Sequence, residues 1–413
     1  MSFSFRHTAL LSSALLMGAS PVFANTTELD TLKRELASLE QKVAQLEAHS
    51  DSADIHTEEP EKGVQVGGAI RFNYGMNSYD QDSERRSGDI DFDLVRINLS
   101  GEVAEVGINA EVRFHDYMRV VKFAYLDYDI TPQWQAQLGL APVPFGNTPV
   151  ASHSYFMTPN YFVGLEEDYD LGLVFKRAMQ DNWQLDLAFF KNDDHGGIDG
   201  SAQDRQDRYS VDLVGLRGVG EGVYDAPGQK LAEYNTLAGR YAYQFEHALG
   251  QTQIGVSALH GGLDNGISRA GDYQAWAVHA SNRYEQWYFH IQHTEYDYQV
   301  DASTQLVVAA NAMYDTIAAK ASSTTLGVSY DLSVALGPIE DLTLYNDFGL
   351  MHDKSDDSAN TWMNITGVSV AAGPILAYID LVHAQNQPFI GGTLVGDSDD
   401  FERRFNINVG YYF

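Results

Sequence analysis

The sequence predicts an all-β transmembrane protein, a 16-stranded antiparallel β-barrel with an N-terminal periplasmic coiled-coil helix ahead of it. Three observations predict it. Runs of about ten residues alternate apolar and polar along most of the chain, the signature of strands with one greasy and one wet face. Their connections alternate between tight turns and long loops rich in Asp and Gly, as the two rims of a membrane barrel do. No stretch approaches the roughly 18 uninterrupted apolar residues of a helical span.

The elements follow in order. Arg6 and His7 precede an apolar run from Ala9 to Met17, and Val22-Phe23-Ala24 forms a small-residue exit. Residues 1–24 therefore read as a secretory signal peptide cut after Ala24, since the run is shorter than the roughly 20 residues of a spanning helix. Residues 25–49 carry Leu29, Leu32, Leu36, Leu39, Val43 and Leu46 at alternating spacings of three and four, a heptad seam. Thr26 or Thr27 serves as N-cap. So few heptads are marginal alone, and the helix is expected to form where another interface already holds chains together. The acidic stretch 50–62, with Pro60, reads as a linker.

The barrel is expected over 63–413. Its first strand sets Val64, Val66, Ile70, Phe72 and Tyr74 against Gln65, Arg71 and Asn73. Val95, Ile97 and Leu99 oppose Arg96, Asn98 and Ser100; Ile108, Ala110, Val112 and Phe114 oppose Asn109, Glu111 and Arg113. The fourth strand is read with Val121, Phe123 and Tyr125 outward and Lys122 and Ala124 opposite. Trp134, Ala136, Leu138 and Leu140 form the outer row of the fifth. Further strands centre on Leu173, Leu187, Tyr241, Val256, Trp276, Phe289, Val328, Leu344, Ile365 and Ile379. The segment Ser210–Leu216 is assigned to a long insertion of about Lys191–Glu233. The last strand alternates to the end, with Phe405, Ile407, Val409, Tyr411 and Phe413 on one face and Arg404, Asn406, Asn408 and Tyr412 on the other. Lipid offers no partner to exposed backbone groups, so the strands must close on themselves. A barrel of this size is wider than its side chains fill, leaving a water-filled interior.

Composition narrows the chemistry. With no cysteine there is no disulfide, thiolate metal site or thiol nucleophile, and no cofactor or metal is expected. The formal charge of −31 argues against nucleic-acid binding. The 24 tyrosines and 20 phenylalanines suit aromatic girdles at the membrane interfaces.

Two features bear on what the interior does. The loop from about Ala141 to Asp170 opens with Pro142-Val143-Pro144-Phe145-Gly146, ends with Glu166-Glu167-Asp168-Tyr169-Asp170, and contains no Lys or Arg. Its Tyr, Phe and Pro are surfaces a loop folded into the lumen would bury, so Phe145, Glu166, Glu167, Asp168 and Asp170 are candidate constriction residues. Arg71, Arg96, Arg113, Lys122 and Arg404 fall on the inner faces of the first four strands and the last. In a closed barrel these are neighbours, and the five make one basic wall. An acidic loop opposite it creates a transverse field that favours polar solutes; pairing of some cations with Glu102 or Glu111 is the structural reading of the same residues.

The chain also resembles the phosphate-selective porin O and P family of Gram-negative outer membranes. The resemblance rests on Lys122-Phe123-Ala124-Tyr125-Leu126-Asp127-Tyr128, on Leu138-Gly139 running into Pro144-Phe145-Gly146, on Glu166-Glu167-Asp168-Tyr169-Asp170-Leu171-Gly172, and on the terminal Tyr411-Tyr412-Phe413. It implies a 16-stranded homotrimeric porin whose third loop narrows the channel, with the N-terminal coiled coil as an extension seen in several such porins. Phosphate selectivity does not carry over. Lysines in the barrel region are few, namely Lys122, Lys176, Lys191, Lys230, Lys320 and Lys354, and the third loop bears only acid. A general or mildly cation-preferring pore for small hydrophilic solutes is therefore expected, with a phosphate- or anion-selective pore as the alternative.

An enzyme is not expected: His115, His153, His195, His260 and His352 fall near Ser and Asp, without any nucleophile motif. An adhesin is a third class. The stretch Asp193-Asp194-His195-Gly196-Gly197-Ile198-Asp199 lacks the ligand spacing of a calcium hand and reads as a solvated acidic loop. The expected surroundings are outer-membrane lipid and lipopolysaccharide, with possible peptidoglycan or periplasmic contact through the helix.

Overall fold

The computed structural model describes residues 63–200, 205–300 and 303–413. The signal peptide, coiled-coil seam and linker expected over 1–62 lie outside the described residues.

Sixteen strands close into one antiparallel barrel. In chain order these are β1 (Gly63–Asn77), β2 (Asp89–Val103), β3 (Val106–Phe114), β4 (Arg119–Thr131), β5 (Trp134–Pro142), β6 (Tyr169–Gln180) and β7 (Trp183–Asn192). After an insertion come β10 (Ala232–His247), β11 (Gly250–Asp264), β12 (Arg269–Tyr284) and β13 (Trp287–Val300). The wall ends with β16 (Lys320–Leu336), β17 (Ile339–His352), β18 (Thr361–Ala372), β19 (Ile375–Gln385) and β20 (Glu402–Tyr412). The seam is β1 against β20, in register from Ala69–Tyr412 to Asn77–Arg404. The Gly68 amide donates to the Phe413 carbonyl at 2.8 Å, carrying the ladder to the last residue. Every strand edge is thereby paired, which hydrocarbon requires.

The alternation read from sequence sorts onto two surfaces. Ile70, Phe72, Leu99, Leu126, Leu138, Leu187, Val256 and Ile291 are exposed on the outside, while Asn109, Gln137, Asp186, Gln292, Asp347 and Asn408 are buried within. An exterior this apolar has no place in water. Short turns join the strands at one rim. The β2–β3 and β6–β7 turns place consecutive residues at positive φ (Ala104 and Glu105; Asp181 and Asn182), matching the twist of paired strands. Trp134, Trp183 and Trp287 each open a strand just after a short turn, forming part of an aromatic girdle. Leu138 pairs with Leu126 and Leu173 in one apolar row across β4, β5 and β6. Leu138→Arg should therefore destabilise the barrel by about 2–4 kcal/mol in urea titrations in lipid vesicles. A loss of under about 1 kcal/mol would take this row off the lipid face.

One strand departs from expectation. Phe123 and Tyr125 point inward, because β4 carries a bulge. Glu111 pairs with Phe123 while the next residue, Val112, pairs with Val121, leaving Lys122 as the extra residue. An inserted residue shifts the alternation by one from that point. Lys122, Phe123 and Tyr125 are all buried as a result, and Ala124 and Leu126 take the lipid face.

The other rim carries more than loops. A helical turn, α1 (Gln81–Arg86), is capped by the Asp80 side chain. Two insertions contribute β8 (Asp212–Leu216), β9 (Gln229–Lys230), β14 (Gln305–Ala310) and β15 (Met313–Ala318), which form a separate sheet in the order β15-β14-β8-β9. Ser210–Leu216 thus belongs to the insertion, as read from sequence, and the Gln305–Ala318 hairpin that completes its sheet was not anticipated.

Candidate functional site

The loop between β5 and β6, residues 143–168 (hereafter the inner loop), crosses the barrel interior and bonds to the far wall. Its base is closed by the Val143 amide donating to the Asp168 carbonyl at 2.9 Å. Gly146 then turns at φ 68°, its amide donating to Ser257 on β11 and its carbonyl accepting from Arg240 Nε on β10 at 2.8 Å. The positive φ favours glycine here, and a Cβ would lie 2.5 Å from Gln292 Oε1, pushing aside the amide that holds Asn147. The Asn147 amide donates to Gln292 Oε1 at 2.7 Å, and its side chain donates to the Ile291 carbonyl on β13. On β17, Asp347 Oδ2 accepts from the His153 and Ser154 amides and from Ser152 Oγ. Asn160 bonds Ser323 of β16. These contacts draw the loop across the passage, which residue spacing alone does not reveal.

The loop packs through aromatic rings as well as hydrogen bonds. Phe145, Phe156, Tyr161, Phe162 and Tyr169 are buried, Tyr161 and Phe162 edge to face. Tyr161 donates to the Tyr209 carbonyl and accepts from Asn311 Nδ2, tying the loop to the outer sheet. Beside the loop a cavity of about 130 Å³ remains, bounded by Arg71, Gln292, Thr325, Tyr378 and Tyr412 of the wall and by Asn147, Ser154, Glu166 and Glu167 of the loop.

The five cations lie on β20, β1, β2, β3 and β4, which are contiguous in the closed sheet. Four of them stand beside a carboxylate, Arg96 and Arg113 sharing one, while Arg404 bonds the neutral Asn406. Arg71 bridges Asp93 at 2.8 Å and stands over Tyr155 of the loop. Glu111 takes Arg113 at 2.5 Å and Arg96 at 3.7 Å, whereas Glu102 is exposed. Arg404 bonds Asn406 and lies over Phe156. Lys122 meets Glu167 at 2.7 Å and sits over the Tyr169 and Tyr209 rings. The bulge that buries Lys122 is what aims it at this carboxylate.

The loop acids separate by environment. Glu167 is the one that reaches the basic wall. Glu166 instead accepts from the Thr158 amide at 3.1 Å and from its hydroxyl. Removal from solvent pushes the Glu166 carboxyl up to about 7, against the pull of those bonds. Asp168 and Asp170 face outward toward Asp212, with one oxygen of each gathered within 4.8 Å. Burial and the neighbouring Glu233 and Asp194 raise Asp168 well above the usual carboxylate range. The Glu166 carboxyl therefore gains negative charge as the pH rises from 6 to 8. Reversal potentials in a salt gradient should show stronger cation preference at pH 8 than at pH 6, and Glu166→Gln should reduce that difference.

The outer loop 193–200 is solvated only in part: Gly196 and Asp199 are exposed, as the sequence reading expects, whereas Asp193 and Gly197 are buried. Asp193 and Arg208 are both buried, and Asp193 accepts from Arg205 at 2.6 Å and from the Gly197 amide at 2.7 Å. Arg208 is ion-paired with Asp194 and Asp212, each at 2.9 Å. Arginines occupy the oxygens a calcium ion would need.

The sequence matches no protein-family model and no curated protein. Solved structures do match. An anion-selective porin from Comamonas acidovorans aligns over 86% of this chain and 100% of its own, at 11% identity and a TM-score of 0.55. Salmonella typhi OmpF, solved with daunomycin, aligns over 86% and 99% at 11% identity and a TM-score of 0.53. The outer-membrane expressed OmpT of Vibrio cholerae aligns over 86% and 100% at 13% identity and a TM-score of 0.50. The likeness is one of architecture, and the closed barrel of this chain has the porin fold.

Proposed function

We propose that the protein is an outer-membrane porin, a water-filled channel for passive diffusion of small hydrophilic solutes and ions. The observation that carries this reading is the inversion of its surfaces. The barrel is apolar outside and polar inside, and one loop is drawn across that polar interior. Diffusion through such a passage needs no moving part, only a route lined by groups that replace water briefly. Glu166, Glu167 and the cations beside them make the surroundings of the inner loop polar and of mixed sign. We place preference on the side of cations, because the loop is free of Lys and Arg and four of the five wall cations already stand beside a carboxylate. A homotrimer in the outer membrane, with the short-turn rim and the residues preceding Gly63 on the periplasmic side, is the assembly this function implies. Proteoliposomes containing the protein should swell in isotonic small sugars at rates that fall with solute size. Impermeability to all of them would overturn the reading.

A further inference from the structure

We infer that His153, His290 and Asp347 form a binding site for a divalent transition-metal ion of the zinc class, which fastens the inner loop to the barrel wall. One nitrogen from each imidazole and one carboxylate oxygen lie within 4.8 Å of one another. The three come from separate elements: His153 from the loop, His290 from β13 and Asp347 from β17.

The wall is shaped for this convergence. His290 pairs with Gly327 of β16, and Gly327 pairs in turn with Asp347, so the three stand in one row across three strands. A Cβ at Gly327 would fall 2.1 Å from the His290 ring and 2.7 Å from Asp347 Oδ1. The missing side chain lets histidine and aspartate lean together over the glycine. Asp347 is held in place on its other oxygen, where two loop amides and Ser152 donate to Oδ2. That leaves Oδ1 presented to His153 Nδ1 at 2.7 Å. Outer contacts that orient a ligating carboxylate in this way are a regular part of metal sites. The His153 and His290 rings lie 4.9 Å apart.

The cluster also has unspent capacity. His153 and His290 are 6% and 4% exposed, yet His153 Nε2 and His290 Nδ1 have no hydrogen-bond partner among the described residues. A buried polar atom left alone is costly, and each ring keeps one nitrogen that the present hydrogen bonds do not use. Two imidazoles and one carboxylate suit zinc and its neighbours, which take nitrogen and oxygen at about 2.0–2.2 Å. Calcium and magnesium prefer all-oxygen shells. Three protein ligands leave a fourth position open to water.

The site does not depend on the channel reading, and its test is a binding measurement. Chelator-stripped full-length protein in detergent is titrated with Zn²⁺ by calorimetry, and with Co²⁺ by visible absorption. One ion per chain is expected, insensitive to excess Ca²⁺, with the cobalt bands of a low-coordinate nitrogen–oxygen site. His290→Gln and Asp347→Asn should each weaken binding by at least about 100-fold, beyond the 10–100-fold that outer-shell partners carry. Unchanged far-ultraviolet circular dichroism shows that both variants keep the barrel. Absence of stoichiometric binding by the wild-type protein would overturn the assignment and leave a hydrogen-bonded cluster. Undiminished binding by both variants would overturn it equally, placing the metal on exposed histidines.

Discussion

Excising residues 145–166 and bridging the ends with a short Gly-Ser turn should raise single-channel conductance severalfold and weaken ion preference. The excision is feasible because the base of the loop is closed independently, by the Pro142–Tyr169 pair and the Val143–Asp168 hydrogen bond. None of the removed residues belongs to a wall strand. Among the wall side chains that lose partners, Arg240, Ser257, Gln292, Ser323 and Asp347 face the lumen and gain water in return. The conductance rise is read in planar bilayers, and the retained fold by migration of unheated samples in electrophoresis. A folded variant with wild-type conductance would show that the current does not pass the inner loop.

The second large effect is on the outer rim. Arg208 lies fully buried against Asp193, Asp194 and Asp212, at 3.5, 2.9 and 2.9 Å. Replacing it with methionine strands these carboxylates, and breaking a buried pair of this kind costs about 3–5 kcal/mol. The expected damage is local: faster proteolysis within the 193–231 insertion, with the barrel strands still protected. Its sign with pH follows from the acids. Burial already raises Asp212 and Asp194 above the usual carboxylate range, and loss of the arginine removes the counter-charge that opposes the rise. Protonation relieves the stranded charges, so the defect of Arg208→Met should be large at pH 8 and smaller at pH 5. Equal proteolysis rates for variant and wild type at pH 8 would contradict the role given to this arginine.

The fold was legible in the sequence wherever alternation was uninterrupted. In β20 the outer row Phe405, Ile407, Val409 and Tyr411 against inner Asn406 and Asn408 survives intact, because no residue is inserted along it. In β4 the same reasoning put Phe123 on the wrong face. A bulge is invisible to a period-two count, which sees only Lys122 in the polar position it was already assigned. The Gln305–Ala318 hairpin escaped for a different reason. Its strands are buried in an outer sheet and read as nearly continuous apolar runs, such as Leu306-Val307-Val308-Ala309-Ala310.

The interior was legible only in part. The absence of Lys and Arg from the loop pointed toward the lumen, and the inner faces of five strands located the cations. Which acid meets which cation was not accessible. Lys122–Glu167 depends on the bulge, and Glu166 is taken by Thr158 within its own loop. The Asp347–His153 contact joins residues 194 positions apart and carries no local pattern at all. Pairings between a loop and the wall it crosses are set by where the chain returns, and periodicity records only how it leaves.

The most direct measurement is single-channel recording of the wild-type protein in planar bilayers, under a potassium chloride gradient. A passive aqueous route through the barrel predicts stepwise, ohmic current increments and a reversal potential displaced modestly to the cation side. Folded, inserted protein that produces no current steps would contradict it.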